Sequence, residues 1–379
     1  MTPKNLDTLV NVNDSILNIY KFFNKIDNKE KSNSINPSCI YNVLNHTYKA
    51  MAGKDLKNNS NLKVMMRMLP EHAQRRSGVF IKKGYSFTDN YSQKFVKDHV
   101  LDTIPTDEAS VDEINEKINA KFSDWSKKEE KFFSEPFTSD YQTHVRDQRY
   151  FRGHWEEPFK NMKMNDFYIG DNQKIKVSMM TRTLTSIFTY YDEEKKCDFI
   201  SLPFKCGAKI LIIVPRKPLN KKQLVDFCNE KISGRDIVEF YVRKGELKSN
   251  YYYNELSFPI FRIGSNWDLN DGSFDNLSEI SLAADKYCSC LKTLFDTENV
   301  DLKNMINDFP MGKFKISIDM NMKTKINNGE IVKSDTKNLH DDSFNRNNSK
   351  RLEINRGFIF AIVSDAFVMS NVGLYIGKF

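Results

Sequence analysis

The stretch Gly357-Phe358-Ile359-Phe360-Ala361-Ile362-Val363 is almost wholly apolar. A second segment of similar character, Gly373-Leu374-Tyr375-Ile376-Gly377-Lys378-Phe379, follows it. Short continuous apolar runs that begin at a glycine are typical of buried strands. The sequence therefore predicts two buried strands near the C-terminus.

A long polar segment precedes these strands. It begins with Asn327-Asn328-Gly329-Glu330-Ile331-Val332-Lys333-Ser334-Asp335-Thr336 and continues to Arg351 with almost no apolar content. Loops of this length are uncommon inside compact domains and are usually functional or disordered. A long exposed loop between buried strands suits a protein that offers a segment to a protease, so residues 330–351 are predicted to be the functional loop.

Helical patterns dominate the first part of the chain, and strand patterns dominate the rest. Asp14 is predicted to cap a helix whose apolar positions are Ile16, Leu17, Ile19, Tyr20, Phe23 and Ile26. Further helices are predicted at 36–48, 61–69, 91–100, 111–133 and 219–232, and strands at 78–81, 176–180, 198–202, 209–215, 256–263 and 312–319. This order predicts an α+β fold in one domain, residues 1–379.

The composition excludes several classes of protein. Forty per cent apolar and 12% aromatic residues suffice for a large core, and the net charge of +7 comes from interspersed charges of both signs. No basic stripe with aromatic residues suggests nucleic-acid binding. The longest apolar run, 210–214, is too short to span a membrane.

The N-terminal residues 1–7 are polar and no apolar signal-peptide core follows them. The six cysteines are scattered without paired spacing, which favours free thiols in a reducing compartment. We therefore expect a cytoplasmic protein, with export by a non-classical route as the alternative.

The sequence contains no pattern that predicts an enzyme or a cofactor. It has no phosphate-binding glycine loop, no zinc spacing among its six histidines and no nucleophile elbow. Residues 266–272 resemble a calcium loop, but Gly272 is one place late and Leu277 occupies the position of the closing glutamate. We expect no metal and no cofactor; an unrelated enzyme is the weakest alternative.

Several segments in order resemble the serpin family. Tyr150-Phe151-Arg152-Gly153-His154-Trp155-Glu156-Glu157-Pro158-Phe159 resembles its Tyr-Phe-Lys-Gly-x-Trp motif followed by Pro-Phe. Further similar segments are 35–40, 177–180, 202–215, 258–263, 358–362 and 375–378. The resemblance implies several helices, three β-sheets and an exposed reactive-site loop. In inhibitory members, a protease that cleaves this loop is trapped when the loop inserts as a new central strand of the large sheet.

The loop hinge departs from the pattern of inhibitory members. If Gly329 is the hinge glycine, insertion turns Glu330, Val332, Ser334 and Thr336 inward. Ile331 and Lys333 also replace small residues. A buried Glu330 carboxylate without a partner costs several kcal/mol, and a barrier raised by about 3 kcal/mol slows insertion roughly a hundredfold.

The strand before Tyr150 also departs from the family. Asp147 replaces an asparagine, and Arg149 lies two residues on, on the same face and close enough to pair with it. Polar groups on both faces predict either a displaced covering helix or altered sheet packing. The tryptophan of that helix is absent, with Lys117 near its place.

The scissile bond has two candidate positions. Counting forward from Gly329 gives Ser343-Phe344, whereas counting back from Gly357 gives Arg346-Asn347, which would suit a trypsin-like protease. The two counts give different bonds because the interval from Gly329 to Gly357 is a few residues longer than is usual in the family.

The resemblance leaves two functions open. The charged hinge favours a non-inhibitory monomer that binds a protease or another protein partner, and the alternative is a working suicide inhibitor of serine or cysteine proteases. The missing signal and the Asn- and Lys-rich composition resemble intracellular serpins of poxvirus type, which implies host proteins as partners. No nucleic-acid or membrane partner is expected.

Overall fold

The computed structural model describes residues 3–26, 29–36, 73–87, 99–122, 131–137, 143–170, 173–183, 188–242, 255–268, 314–323, 351–363 and 368–378, with a few positions between 88 and 98. The helices there are α1 (Pro3–Ile26), α2 (Glu108–Lys121), α3 (Lys221–Lys231) and α4 (Gly234–Val242). The strands are β1 (Asn33–Ile35), β2 (Ala73–Ile81), β3 (Val100–Thr103), β4 (Thr143–Arg152), β5 (Asn161–Tyr168), β6 (Lys174–Thr183), β7 (Phe188–Asp192), β8 (Cys197–Pro203), β9 (Lys209–Pro215), β10 (Glu255–Pro259), β11 (Arg262–Asp268), β12 (Phe314–Lys323), β13 (Arg351–Glu353), β14 (Phe358–Val363) and β15 (Met369–Tyr375).

The apolar C-terminal strands lie in a six-stranded sheet of order β1-β15-β14-β9-β8-β7. All its described pairs are antiparallel. Every side chain of β14 is buried, as expected for a strand covered on both faces. The predicted strands 357–363 and 209–215 are thus confirmed, whereas β15 begins at Met369, earlier than predicted.

A four-stranded sheet has the order β13-β10-β6-β5. The single strand predicted at 256–263 is wrong, because the chain leaves this sheet after Pro259 and re-enters a different sheet at Arg262. Ile260, between the two strands, still donates its backbone N–H to Ser178 O of β6 at 2.8 Å. Two adjacent apolar strands therefore appeared as one continuous run in the sequence.

The third sheet has the order β11-β12-β4-β2-β3. Its centre is a parallel pair, in which β12 runs beside β4 over ten matched positions from Phe314↔Thr143 to Lys323↔Arg152. On the other side, β4 is antiparallel to β2. The predicted strand at 312–319 is present, and it extends to Lys323.

Helix α1 buries the predicted apolar stripe, including Ile16, Leu17 and Tyr20. Burial of each such side chain stabilises the fold by about 1.5–3 kcal/mol. The predicted cap at Asp14 is wrong, because α1 begins at Pro3 and runs through Asp14. Instead, the Asp14 carboxylate accepts the backbone N–H of Gly234, at 2.6 Å, at the start of α4.

The other predicted helices differ mainly at their ends. Helix α2 stops at Lys121 rather than continuing to 133, although its buried positions Val111, Ile114 and Ile118 were predicted. The segment 219–232 contains α3, and a second helix, α4, follows it. Val100 belongs to β3 and not to a helix. The predicted helices at 36–48 and 61–69 lie outside the described residues.

Within the described ranges, no helix has both the length and the apolar content needed to cross a membrane. Cys197, Cys206 and Cys228 are free thiols, as the scattered spacing predicted. Burial raises the pKa of the Cys228 thiol to about 12 and also raises the pKa of Cys197. These two thiols are therefore protonated and inert at neutral pH.

Candidate functional site: the central strand pair

The candidate site is the seam between β4 and β12, where a strand inserted into the five-stranded sheet would lie. Strand β4 alternates its side chains between two covered faces. Val145 joins the main core with Val79 of β2, and this side is called the core face. His144, Arg146 and Gln148 point to the opposite side, towards α2, which is called the helix face.

The core face carries a buried ion cluster centred on Asp147. The Asp147 side chain has no exposed surface. Arg75 Nε of β2 donates to one carboxylate oxygen at 2.8 Å, and Arg149 Nε donates to the other at 3.1 Å. The predicted pairing of Asp147 with Arg149 is therefore confirmed.

Two further groups complete this cluster. The Ser77 hydroxyl donates to Asp147 at 3.2 Å, directly across the β2–β4 ladder. Arg75 Nη2 lies 3.3 Å from Nε2 of His99, which is buried. The sequence did not identify these partners, although the polar run Arg75-Arg76-Ser77 beside an apolar strand was a usable signal.

A second polar cluster lies on the helix face. Arg76 is fully buried, with Nε donating to Gln148 Oε1 at 2.6 Å and Nη1 to Asn119 Oδ1 of α2 at 2.7 Å. Arg146 lies over the rings of Phe132 and Phe133, 5.4 and 5.3 Å from their centroids. Polar side chains on both faces of the sheet are thus accommodated by ion pairs, hydrogen bonds and cation–ring contacts.

Of the two alternatives predicted for this strand, the displaced covering helix is wrong. Helix α2 contacts the sheet through Val111, Ile114 and Ile118, which pack with Phe80 of β2. Lys117 does not occupy the sheet interface: its amine is exposed and binds Asp102 at 2.7 Å. That hydrogen bond raises the pKa of Lys117.

The segment 150–159 that carried the family resemblance forms the end of β4 and the turn after it. Trp155 is completely buried, stacks on Phe204 at 4.7 Å and meets Phe159 edge-on at 5.4 Å. A Cβ at Gly153 would lie 2.4 Å from the Phe204 ring. This motif is therefore structural, since it fixes the end of β4 against β8.

The two described strands that flank the predicted loop in sequence are β12, which ends at Lys323, and β13, which begins at Arg351. The Arg351 guanidinium lies 3.6 Å from Glu255 of β10. Both partners of this ion pair are exposed, so its contribution is about 0–1 kcal/mol. The hinge residues 329–334 and the scissile candidates Ser343, Phe344, Arg346 and Asn347 lie outside the described residues.

In the described ranges, no group of three or more His, Cys, Asp or Glu side chains could hold a metal ion. The polar residues of the two clusters lie on β2, β4 and α2 and at His99, and within each cluster they contact one another. This arrangement holds β2, β4 and α2 together.

The fold class is defined by three sheets, one of which has the parallel pair β12 and β4 near its centre. Solved structures of other proteins have the same fold. Human kallistatin matches with a TM-score of 0.68 at 16% identity, covering 98% of each chain. Human thyroxine-binding globulin matches with a TM-score of 0.67 at 14% identity, also over 98% of each chain. At these identities the similarity establishes the fold alone.

The family is established by the sequence match. The family model described as "Serpin (serine protease inhibitor)" matches residues 40–379. The chain therefore belongs to the serpin family, with the α+β fold expected from the resemblance.

Curated relatives match over shorter stretches. Serpin A3-2 of Bos taurus is 30% identical over 133 residues, 32% of each chain. A serine protease inhibitor of Cyanea capillata is 32% identical over 71 residues, 18% of this chain and 19% of its own. The aligned part thus spans a third or less of these relatives, and the protein is a divergent family member.

Proposed function

We propose that this protein is a serpin-fold binding protein that presents its loop to a partner but does not inhibit proteases by loop insertion. The partner is a protease or a protein that regulates one. Four further expectations belong to this proposal: one domain over residues 1–379, a monomeric state, a cytoplasmic location, and a viral source with host proteins as partners.

The observation that carries the proposal is the ion cluster around Asp147. Insertion separates β12 from β4 and places a new strand beside β4. Since β12 and β4 are parallel neighbours, a hairpin returning from β12 runs antiparallel to both. Its inward side chains lie about 5 Å from those of β4, where Asp147 and Arg149 occupy the core face.

The expected inward residues suit this surface poorly. Glu330 would bring a second carboxylate into a buried region, and Val332 would place an apolar side chain beside charged groups. Desolvating a carboxylate in such a place costs several kcal/mol unless its geometry with a cation is very good. Insertion must be faster than deacylation, so a cost of this size favours simple cleavage of the loop.

The direct test is incubation with trypsin, chymotrypsin and a papain-like cysteine protease, followed by SDS gels and mass spectrometry. We expect cleavage within 330–351 without a covalent complex, and no large rise in melting temperature after cleavage. An Arg346→Ala variant identifies cleavage at that bond. A stable complex with any of these proteases, at a stoichiometry near one, refutes the proposal.

A second candidate is a working suicide inhibitor with its scissile bond near Arg346. One observation favours it: β4 and β12 are adjacent and parallel, so the sheet has the topology that an antiparallel strand could enter. The names of the Bos taurus and Cyanea capillata relatives, Serpin A3-2 and serine protease inhibitor, are consistent with this activity. The gel assay distinguishes the two candidates.

The remaining expectations have separate tests. Sedimentation velocity would show one species of 44.3 kDa if the protein is a monomer. Fractionation of expressing cells would place the protein with cytoplasmic markers, and its appearance in the medium would favour non-classical export. Limited proteolysis that cuts outside residues 330–351 and releases a smaller fragment that stays folded by itself would contradict the single domain.

A further inference from the structure

Strand β5 forms the outer edge of the four-stranded sheet and exposes two large apolar side chains. Met162 is 49% and Met164 is 53% exposed. The other strongly exposed large apolar side chains among the described residues, Val96 and Val242, are separate from each other. Isolated exposed apolar residues are normal, but two neighbours on one face of an edge strand make a continuous apolar strip.

The outer backbone groups of this edge point away from the sheet. In the described part of the chain, β5 pairs with β6 on one side, and its outer side has a bridge only at Tyr168. The Tyr168 N–H donates outwards to Asn355 O at 2.8 Å. Because alternate residues of a strand point their N–H and C=O groups to the same side, Met162, Met164 and Asp166 also direct theirs outwards.

The surroundings of the two methionines are basic. Between residues 160 and 176 the sequence contains four lysines and two aspartates, a net charge of 4 − 2 = +2. Asp166 accepts hydrogen bonds from Lys174 at 2.7 Å and pairs with Lys176 at 2.6 Å. Lys160 and Lys163 are also exposed, and Lys163, between the two methionines in sequence, lies on the opposite face of the strand.

Lysine on an edge strand also has a purely protective role, since it discourages strand addition by other chains. That role explains Lys163, but it does not explain an apolar strip beside outward N–H and C=O groups. Methionine is flexible and polarisable, and it suits surfaces that adapt to a partner. The edge therefore combines exposed methionines, outward backbone N–H and C=O groups, and lysines. A partner that suits all three is an extended segment in which acidic and apolar residues alternate.

We propose that residues 160–166 form a docking edge for an extended acidic segment of a partner protein. The segment adds a strand to β5, its apolar side chains cover Met162 and Met164, and its carboxylates pair with the lysines. This proposal builds on the binding role proposed above, but it uses an edge distant in sequence from the loop. If the peptide does not bind, the result of the protease gel assay is unchanged. If the gel assay shows a covalent complex, the peptide-binding result is likewise unchanged.

The probe is a fluorescein-labelled decapeptide of alternating Val and Glu, compared with its Val/Lys counterpart and with a version N-methylated at alternate positions. Fluorescence anisotropy is measured with the full chain at about 50 and about 300 mM NaCl. We expect the acidic peptide to bind about tenfold more tightly than either control peptide and to weaken with salt.

Variants assign the binding to β5. Met162→Ser/Met164→Ser and Lys163→Glu are each expected to weaken acidic-peptide binding about tenfold. The matched controls Val242→Ser and Lys217→Glu, at exposed positions elsewhere, should bind as wild type. Circular dichroism and urea midpoints establish that each variant is folded.

Hydrogen exchange on the wild-type chain gives a readout that does not depend on any variant. The acidic peptide should slow exchange of the amides of Met162, Met164 and Asp166. Equal binding of all three peptides, wild-type binding by the β5 variants, or unchanged exchange would each overturn the proposal. A dimer that is lost in the methionine variant would overturn it as well, because the edge would then bind a second copy of the chain.

Discussion

Replacement of Asp147 by asparagine tests the ion cluster on the core face. The asparagine side chain would keep nearly the same shape and one acceptor oxygen but would remove the negative charge. Arg149, with only 6% of its side chain exposed, would then be buried beside a neutral group. Arg75 would also lose its charged partner, although its side chain is 23% exposed and retains access to water.

The expected loss of stability follows from burial. Removing one partner of a buried ion pair costs about 3–5 kcal/mol because the other charge is left without compensation. The retained amide oxygen recovers part of this, since a hydrogen bond to a charged group contributes about 1.5–3 kcal/mol. We therefore expect Asp147→Asn to lower the free energy of unfolding by about 2–4 kcal/mol.

The assay is urea unfolding followed by fluorescence at pH 7, with midpoints and slopes compared among variants. Asp112→Asn is the matched control, because Asp112 pairs with Lys131 at 2.8 Å while both side chains remain mostly exposed. That change should cost no more than about 1 kcal/mol. Combining Asp147→Asn with Arg149→Gln should show a coupling of at least about 1 kcal/mol. Equal effects of Asp147→Asn and Asp112→Asn would refute the cluster's role.

Three further predictions concern other contacts. Asp14→Ala should destabilise the fold by about 1 kcal/mol by removing the acceptor at the start of α4, whereas Asp7→Ala on the exposed side of α1 should change the urea midpoint little. Two lysines lower the pKa of Asp166 to about 2, so its stabilisation is present above pH 4 and is lost as the pH falls towards 2. Asp166→Asn should flatten this part of the urea midpoint–pH curve, by less than about 1 kcal/mol because the site is exposed to solvent. The third prediction concerns alkylation with iodoacetamide at pH 8, with the labelled sites mapped by mass spectrometry. Cys206 should react in the native state, whereas Cys228 should react only after unfolding. Labelling of Cys228 in the native state would contradict its burial.

The parts of the fold that could be predicted are those where one strand or helix has a continuous pattern. Strand β9 was predicted with its observed bounds because five apolar residues occur together between Lys209 and Pro215. The apolar stripe of α1 was recognised because its residues recur at helical spacing. Its start was misplaced, since Asp14 has the composition of a cap and serves the start of α4 instead, a long-range contact that local sequence does not reveal.

The strands that were missed have weak local patterns. Strand β5 is polar and exposed through most of its length, so it shows no apolar run. In the site, the Asp147–Arg149 pair was predictable because both residues lie on one strand two positions apart. The contacts of Arg75 and His99 could not be predicted, because they depend on which strands are neighbours in the sheet. Sequence spacing predicts contacts along a strand, whereas contacts across strands require the topology.

The six-stranded sheet has a consequence for the synthesis of this protein. Strand β1, at Asn33–Ile35, pairs with β15, at Met369–Tyr375, and β14 and β15 complete the ladder that β9 begins. During translation, the apolar strand β9 is therefore complete more than a hundred residues before the strand that covers its edge is made (358 − 215 = 143). Contacts this distant in sequence slow folding and leave unpaired edges exposed on the growing chain. We therefore expect ribosome-bound chains that end before β14 to be aggregation-prone and to bind chaperones, and full-length chains released from the ribosome to be free of them.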